Sequence, residues 1–210
     1  MDIIRTTGVI AILRAKSPDQ LLRAADAIHA GGVRAIEVAL TTPGALEVIA
    51  QAAARFQGSG VVFGAGTVLD ADSARNAIQA GAQFIVAPNF KPAVIEACRG
   101  CAVPVFPGAY TPTEIVAAWE TGADMVKVFP ASVGGPAFIK ALKSPLPHIE
   151  LVPVGGVTLE NAAAFIHAGA SAVGVGSELV DAKMLEAQAW DTLAERAASF
   201  LAEVQRARSG

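Results

Sequence analysis

Aromatic and charged residues are both scarce in this chain of 210 residues, at 6% and 17% of the composition. The formal net charge is −3, so the sequence lacks the basic excess that binds nucleic acid or an anionic membrane surface. Its longest stretch without charge, residues 161–177, is shorter and more polar than a membrane span requires. The N-terminal sequence MDIIRTTGVIAILR lacks the basic start, long apolar middle and cleavage site of a signal peptide. We therefore expect a cytoplasmic protein with no nucleic-acid or membrane partner.

Cysteine is almost absent, and the two residues of this type, Cys98 and Cys101, form the sequence CRGC. A redox pair would open a helix, whereas Cys98 closes a helical pattern and Cys101 leads into a strand. A zinc site would need further ligands, but there is no second CxxC, and His29, His148 and His167 are scattered singly. We interpret both cysteines as structural and expect no metal site.

Hydrophobic residues, in contrast, make up 53% of the chain, and short β-branched runs recur along it. The eight runs are GVIAIL, AIEVAL, VVFGAG, FIVAP, VPVFPG, MVKVFP, LVPVGG and AVGVGS. They lie about 20 to 26 residues apart, and Ala-rich stretches with helical periodicity fill the gaps. Such an internal βα repeat predicts a parallel sheet with right-handed crossovers. Eight near-equal units favour closure into a single-domain (β/α)8 TIM barrel over residues 1–210, with an open doubly wound sheet as the alternative.

Capping signals mark the predicted helices at both ends. SPDQ at Ser17 and TPTE at Thr111 each supply an N-cap, a proline at the first helical position and a Gln or Glu at the third. The proline recurs after Thr42 and after Lys91, which predicts that two more helices begin there. Glycine follows several helices, in AGGVRAIEV, AGAQFIV, TGADMVKV and AGASAVGV, where it suits the left-handed C′ position.

Two charged residues, Glu37 and Lys127, interrupt strands that otherwise read as buried. Side chains alternate along a strand, so Lys127 shares its face with Met125 and Phe129, and both of its direct neighbours are valines. Glu37 likewise lies between an isoleucine and a valine. The outward face of a barrel packs on helices and suits Val and Ile, so we expect Glu37 and Lys127 to point inward.

An inward lysine is suited to covalent catalysis. Burial disfavours the ammonium form and lowers the pKa, and a neutral amine can attack a ketone to form a Schiff base. A nearby carboxylate such as Glu37 could move the protons that dehydration and enamine formation require. The alternative is a structural Glu–Lys ion pair, although buried pairs of this kind are weak evidence for stability.

A second group of candidate residues follows the seventh and eighth strands. Loops at this place in barrels often bind phosphate through backbone N–H groups, and Gly155–Gly156, Gly176 and Ser177 lie there. Arg14, at the end of the first strand, could add a positive charge for a phosphate or a carboxylate. GAGT is not a nucleotide-binding loop, and we interpret Thr67 as a hydrogen-bond donor in the substrate space.

The motifs IEV around Glu37, FGAGTV, IVAPN, VKVFPAS around Lys127, GGV and GVGS together resemble those of a known family. The chain is similar, from GVIAILR to the last helix, to the bacterial 2-keto-3-deoxy-6-phosphosugar aldolases. These class I lyases produce pyruvate and glyceraldehyde 3-phosphate. The resemblance implies Lys127 as the Schiff-base lysine, Glu37 as a general acid/base acting with a water, a homotrimer, and no metal or organic cofactor. It also implies Arg14, Thr67, Pro88 and Phe129 at the pyruvate end, and Gly155, Gly156, Gly176 and Ser177 around the phosphate.

One departure from the gluconate-type pattern bears on the substrate. An arginine four residues after the glutamate and a threonine before the paired glycines are replaced here by Thr41 and Val154. This combination resembles the galactonate-type branch, whose substrate differs in configuration at C4. An apolar wall discriminates less than a hydroxyl partner, so we expect galactonate preference with some tolerance of the gluconate epimer. The alternatives are a gluconate-type or 4-hydroxy-2-oxoglutarate aldolase, a phosphosugar epimerase, and a non-catalytic barrel that binds phosphate ligands.

Overall fold

The computed structural model describes residues 1–209, which form alternating strands and helices. The strands are β1 Val9–Leu13, β2 Ala35–Ala39, β3 Val62–Gly66, β4 Phe84–Val86, β5 Val105–Phe106, β6 Gly108–Ala109, β7 Val126–Val128, β8 Leu151–Pro153 and β9 Val173–Val175. The helices are α1 Asp2–Thr7, α2 Pro18–Ala30, α3 Ala45–Arg55, α4 Ala71–Gln79, α5 Pro92–Gly100, α6 Pro112–Thr121, α7 Gly135–Lys143, α8 Leu159–His167, α9 Ala182–Glu186 and α10 Trp190–Ser209.

The strands are parallel and close into a barrel. They run in the orders β5-β4-β3-β2-β1-β9 and β6-β7-β8. β5 and β6 are two parts of one barrel strand interrupted at Pro107, whose carbonyl accepts a hydrogen bond of 2.9 Å from the Lys127 N–H. A parallel bridge between Val154 and Gly174 joins β8 to β9, and β9 pairs with β1. The eight-stranded (β/α)8 barrel is therefore confirmed, and the open doubly wound alternative is wrong.

Local capping explains where most helices begin. Ser17 accepts a hydrogen bond from the Gln20 N–H, and Thr111 forms a capping box with Glu114, each ahead of a proline at the first helical positions. Lys91 is the N-cap of α5, as its following proline predicts. The helix expected to begin at Thr42 instead begins at Ala45. Its N-cap, Gly44, has the left-handed φ of 68°, which interrupts a helix that would start earlier.

Helix ends follow the glycine pattern. The residues expected at C′ have φ values of 88° to 105°, a region that L side chains avoid. They are Gly32, Gly81, Gly122 and Gly169.

Two separate hydrophobic layers lie on the two faces of the sheet. The outer layer lies between strands and helices and includes Ile36, Val38, Val126 and Val128. The inner layer fills the barrel with a smaller set of side chains: Ile4, Ile10, Ile12, Ala35, Phe84, Val86, Phe106, Met125, Val152, Val154 and Ala172. Ala35 and Met125 share their strand faces with Glu37 and Lys127, so the predicted inward direction of both charged residues is confirmed.

Helix α1 was not foreseen from the sequence. Its Ile4 is 1% exposed and packs with the inner layer, so α1 covers the amino-terminal end of the barrel. The cysteines are both free; Cys98 is buried, which raises the pKa of its thiol to about 12, and Cys101 is exposed. Among the helices of residues 1–209, none is long and apolar enough to cross a membrane.

Candidate active site

A cavity of about 280 Å³ opens at the carboxyl ends of the strands. Each candidate residue in it lies in a strand or within a few residues of a strand end, because the parallel strands all point to this face. Ten of the eleven residues singled out in the sequence line this cavity: Arg14, Thr67, Pro88, Lys127, Phe129, Val154, Gly155, Gly156, Gly176 and Ser177. The eleventh, Glu37, is buried and does not line it.

Lys127 lies at the centre of β7 and is only 5% exposed. Its Nζ lies 5.3 Å from the centroid of the Phe129 ring. Burial lowers the pKa of this lysine; the charge of Glu37 opposes that change, whereas the charge of Arg14 adds to it. The amine is therefore easier to deprotonate than an exposed lysine, which is the state that a nucleophile needs.

Glu37 lies in β2 and is 2% exposed, and its Oε1 has no hydrogen-bond partner. Burial raises the pKa of the carboxyl group, while the charges of Lys127 and Arg14 oppose the rise. A buried carboxylate without a hydrogen-bond partner is energetically unfavourable, so this group takes up a proton more readily than an exposed carboxylate does. Because Glu37 does not reach the cavity surface, proton exchange with a bound substrate would require an intervening water.

Gly66 provides the space that Glu37 occupies. It lies at the end of β3, opposite Ala39 in the register with β2. A Cβ atom at this position would overlap the Glu37 carboxylate and lie 2.6 Å from its Cγ. Gly66 therefore fixes the path of the Glu37 side chain across the barrel.

Replacing Gly66 with alanine should displace the Glu37 carboxylate and lower kcat about 10- to 100-fold, since small misplacements of a catalytic group have effects of this size. The matched control is Gly100→Ala, because a Cβ there meets nothing within 4 Å. Steady-state kinetics of both variants, with thermal melting to confirm folding, would check this. An unchanged kcat in Gly66→Ala would show that the carboxylate position is unimportant.

Thr67 follows Gly66 with a φ of 58°, in the left-handed region. This conformation is a strained one for a β-branched residue, and such strain concentrates at functional sites. The adjacent Val68 N–H is hydrogen-bonded to the Val86 carbonyl at 3.2 Å, which anchors the turn. The sequence did not predict the strained backbone, although it predicted that Thr67 lies in the substrate space.

The glycine pair after β8 forms a tight turn into α8. Gly155 and Gly156 have φ values of 85° and 83°, and a Cβ on Gly156 would lie 2.5 Å from the Ser132 side chain. Thr158 and Asn161 form a capping box, and the Asn161 amide also donates to the Gly156 carbonyl at 2.8 Å. The turn therefore lies directly ahead of a helix N-terminus, whose partial positive charge favours an anion.

The second glycine turn, after β9, is held by backbone hydrogen bonds. The Gly176 carbonyl accepts from the N–H groups of Leu179 and Val180, both at 2.9 Å. Ser177 is exposed on this turn, and Arg14 is exposed nearby. A Cβ on Gly176 would lie 3.9 Å from Arg14 Nη1.

Four further residues line the cavity and were not singled out in the sequence: Ile12, Val157, Gly174 and Glu178. The alternation of β1, which turns Ile10 and Ile12 inward, could have identified Ile12. A Cβ on Gly174 would lie 2.7 Å from Val154 Cγ2, so this glycine leaves room for the valine. Thr41, the other departure noted above, is exposed and is not among the lining residues.

The family model described as KDPG and KHG aldolase matches residues 1–196 of the chain. The 2-dehydro-3-deoxy-6-phosphogalactonate aldolase of Escherichia coli strain K12 is 40% identical over 194 residues, which is 92% of each chain. The 2-dehydro-3-deoxy-phosphogluconate aldolase of Treponema pallidum strain Nichols is also 40% identical, over 89% of this chain and 87% of that one.

Solved structures of aldolases also align with this chain. The structure of native KDPGal aligns with a TM-score of 0.89 at 37% identity and covers 96% of both chains. The KDPG aldolase of Legionella pneumophila, with pyruvate captured as a covalent carbinolamine, aligns with a TM-score of 0.88 at 26% identity, over 94% of this chain and 96% of that one. The chain therefore belongs to the KDPG and KHG aldolase family and is a carbon–carbon lyase.

Proposed function

We propose that the protein is a class I aldolase that reversibly cleaves 2-dehydro-3-deoxy-6-phospho-D-galactonate to pyruvate and D-glyceraldehyde 3-phosphate. The observation that carries the proposal is the position of Lys127, a lysine that is only 5% exposed and lines the cavity. Burial also lowers the pKa of its amine. Support comes from the Escherichia coli relative, which is named for the galactonate substrate, and from the pyruvate carbinolamine in the Legionella structure.

The proposed reaction begins when the neutral Lys127 amine attacks C2 of the substrate. Loss of water from the carbinolamine leaves a protonated Schiff base, which acts as an electron sink. Glu37, through a water, removes the proton of the C4 hydroxyl; the C3–C4 electron pair moves into the enamine, and glyceraldehyde 3-phosphate leaves. Protonation of the enamine at C3 and hydrolysis of the Schiff base then release pyruvate and restore the lysine.

The remaining cavity residues divide between the two ends of the substrate. We assign the keto-acid end to the Arg14 cation, the Thr67 hydroxyl and the walls formed by Pro88 and Phe129. We assign the phosphate to backbone N–H groups and one hydroxyl, because the helix N-terminus and the glycine turns lie together there. These phosphate-binding residues are Gly155, Gly156, Gly176 and Ser177.

Borohydride reduction in the presence of excess pyruvate tests this mechanism directly. Intact mass and peptide mapping should show one reduced pyruvate adduct, on Lys127. Lys143 is an internal control, because burial also lowers its pKa but its Nζ is bonded to the Pro147 and Ile149 carbonyls at 2.7 and 2.8 Å, outside the cavity. A folded protein that gives no adduct on Lys127 would rule out the Schiff-base mechanism.

The gluconate epimer is the second candidate substrate, because one relative named for each epimer is 40% identical to this chain. Val154 favours the galactonate epimer. It is 7% exposed, lines the cavity and presents only methyl groups. The preference depends on Val154 rather than on Thr41, which does not line the cavity.

Replacing Val154 with threonine should shift the ratio of kcat/KM values toward the gluconate epimer by about tenfold, because a hydroxyl beside C4 offers a hydrogen bond. Thr41→Val, outside the cavity, is the control and should leave the ratio unaltered. Turnover of both epimers by the two variants measures the effect. The specificity argument fails if Val154→Thr leaves the ratio at the wild-type value.

Three further properties belong to the proposal. We propose a single domain over residues 1–210, a cytoplasmic location and a homotrimer that works without a metal or organic cofactor. A designed cage made by fusing symmetric oligomeric domains contains a chain 37% identical to this one, which supports self-association. A monomer of 21.4 kDa in light scattering would contradict the trimer.

A further inference from the structure

The proposed phosphate end of the cavity carries an acidic side chain. Glu178 directly follows Ser177 in the turn after β9, is exposed and lines the cavity. Only two other lining residues are charged, Arg14 and Lys127. A carboxylate is an unexpected neighbour for a phosphate monoester, which carries a charge of about −1.5 to −2 at neutral pH.

Other side chains do not neutralise this carboxylate through an ion pair. Within residues 1–209, no ion pair of 4.0 Å or less includes Glu178. The Arg196 guanidinium donates a hydrogen bond of 3.2 Å to the backbone carbonyl of Glu178, not to its carboxylate. Arg196 forms its ion pair with Asp181, at 3.3 Å. The Glu178 carboxylate therefore lines the cavity without an ion-pair partner within these residues.

The Arg14 cation acts on both ends of the cavity. Its charge acts on both Lys127 and Glu37, and its Nη1 would lie 3.9 Å from a Cβ on Gly176 in the second glycine turn. The glycine turns at the other end offer neutral donors, namely backbone N–H groups and the Ser177 hydroxyl. A phosphate there would be held by these dipoles and by the Arg14 cation, while the Glu178 carboxylate would repel it.

We infer that Glu178 is a specificity-determining residue that weakens binding of the phosphate dianion and so narrows the preference for phosphorylated over unphosphorylated substrates. This inference rests on the proposed function for its phosphate subsite. A unit charge about 6 to 12 Å from a dianion in water changes affinity by about three- to tenfold. The charge is exposed, so salt screens the effect.

Glycerol 3-phosphate is a suitable probe, because it carries the phosphate end of the substrate but no carbonyl for Lys127 to attack. Calorimetry should show that Glu178→Gln lowers its Kd about three- to tenfold at low salt, with the difference from wild type shrinking in 0.5 M KCl. Glu120→Gln is the matched control: Glu120 is exposed near the end of α6 and does not line the cavity, and its replacement changes the net charge equally. The Kd of Glu120→Gln for glycerol 3-phosphate should stay at the wild-type value.

Kinetics extend the test to the substrate. Glu178→Gln should lower KM for 2-dehydro-3-deoxy-6-phosphogalactonate by a similar factor, and should not lower KM for the same sugar acid without phosphate. The inference would be overturned if Glu178→Gln left the Kd for glycerol 3-phosphate unaltered, or if Glu120→Gln changed this Kd equally. It would also be overturned if neither the wild type nor Glu178→Gln bound glycerol 3-phosphate. Failure of pyruvate trapping on Lys127 would overturn the aldolase mechanism instead, and the calorimetric result does not depend on it.

Discussion

Replacing Lys127 with methionine is expected to reduce aldolase turnover by roughly 10⁴-fold or more and to abolish the borohydride-trapped pyruvate adduct. Methionine matches the lysine stem in size but cannot form a carbon–nitrogen bond. The fold should be retained with a loss of up to about 3 to 5 kcal/mol of unfolding free energy at neutral pH, since removing the lysine charge leaves the buried Glu37 carboxyl group with less compensation. Activity assays, trapping and urea denaturation of the same preparation measure all three effects.

The control for this variant is Lys140→Met, which alters an exposed lysine on α7 and should behave like the wild type. In the wild type, the rate of adduct formation should rise with pH and level off below the ordinary lysine pKa of 10.5, because burial lowers the pKa of Lys127. Substantial turnover by Lys127→Met would show that another group forms the covalent intermediate.

Replacing Glu37 with glutamine should lower kcat about 10²- to 10⁴-fold, because the amide keeps the shape of the carboxyl group but cannot transfer its proton. Pyruvate should still be trapped on Lys127, more slowly, since the nucleophile remains. Glu47→Gln, on the exposed face of the following helix, is the control. A Glu37→Gln enzyme with wild-type kcat would contradict the role assigned to this carboxyl group.

The same variant should also change how stability depends on pH. Burial raises the pKa of Glu37 in the folded protein above its ordinary value of 4.5. The folded state therefore holds the proton more tightly than the unfolded chain, so wild-type stability falls as pH rises from 4.5 through the raised pKa. Glu37→Gln lacks this loss, so urea denaturation should show that its stability at pH 8 relative to pH 4 is higher than that of the wild type.

Much of the barrel could be predicted because its signals are local. Alternation turned Glu37 and Lys127 inward, and proline with capping residues marked α2, α5 and α6 correctly. The features that were missed depend on distant contacts. Helix α1 has six residues, and its place depends on Ile4 packing under the barrel. The late start of α3 depends on the left-handed conformation of Gly44, whereas the proline after Thr42 predicted an earlier start.

The candidate site shows the same division. Ten predicted residues line one cavity because strand ends converge in a barrel, and their individual roles stay predictions. The close approach of Gly66 to Glu37 depends on the register between β2 and β3, which a single strand pattern does not contain. Glu178 was missed because an exposed acidic residue in a turn usually has no function beyond solvation.

Substitutions in the two hydrophobic layers differ in how they affect the cavity. Apart from Val157, residues of the outer layer do not line the cavity, so substitutions there can change stability without altering the cavity wall. In the inner layer, Ile12 and Val154 both fill the barrel and form the cavity wall, so a change in either alters packing and substrate selection together. Lineages of this chain can thus adapt to temperature through the outer layer, whereas a change of Ile12 or Val154 that suits a new sugar also disturbs the barrel interior.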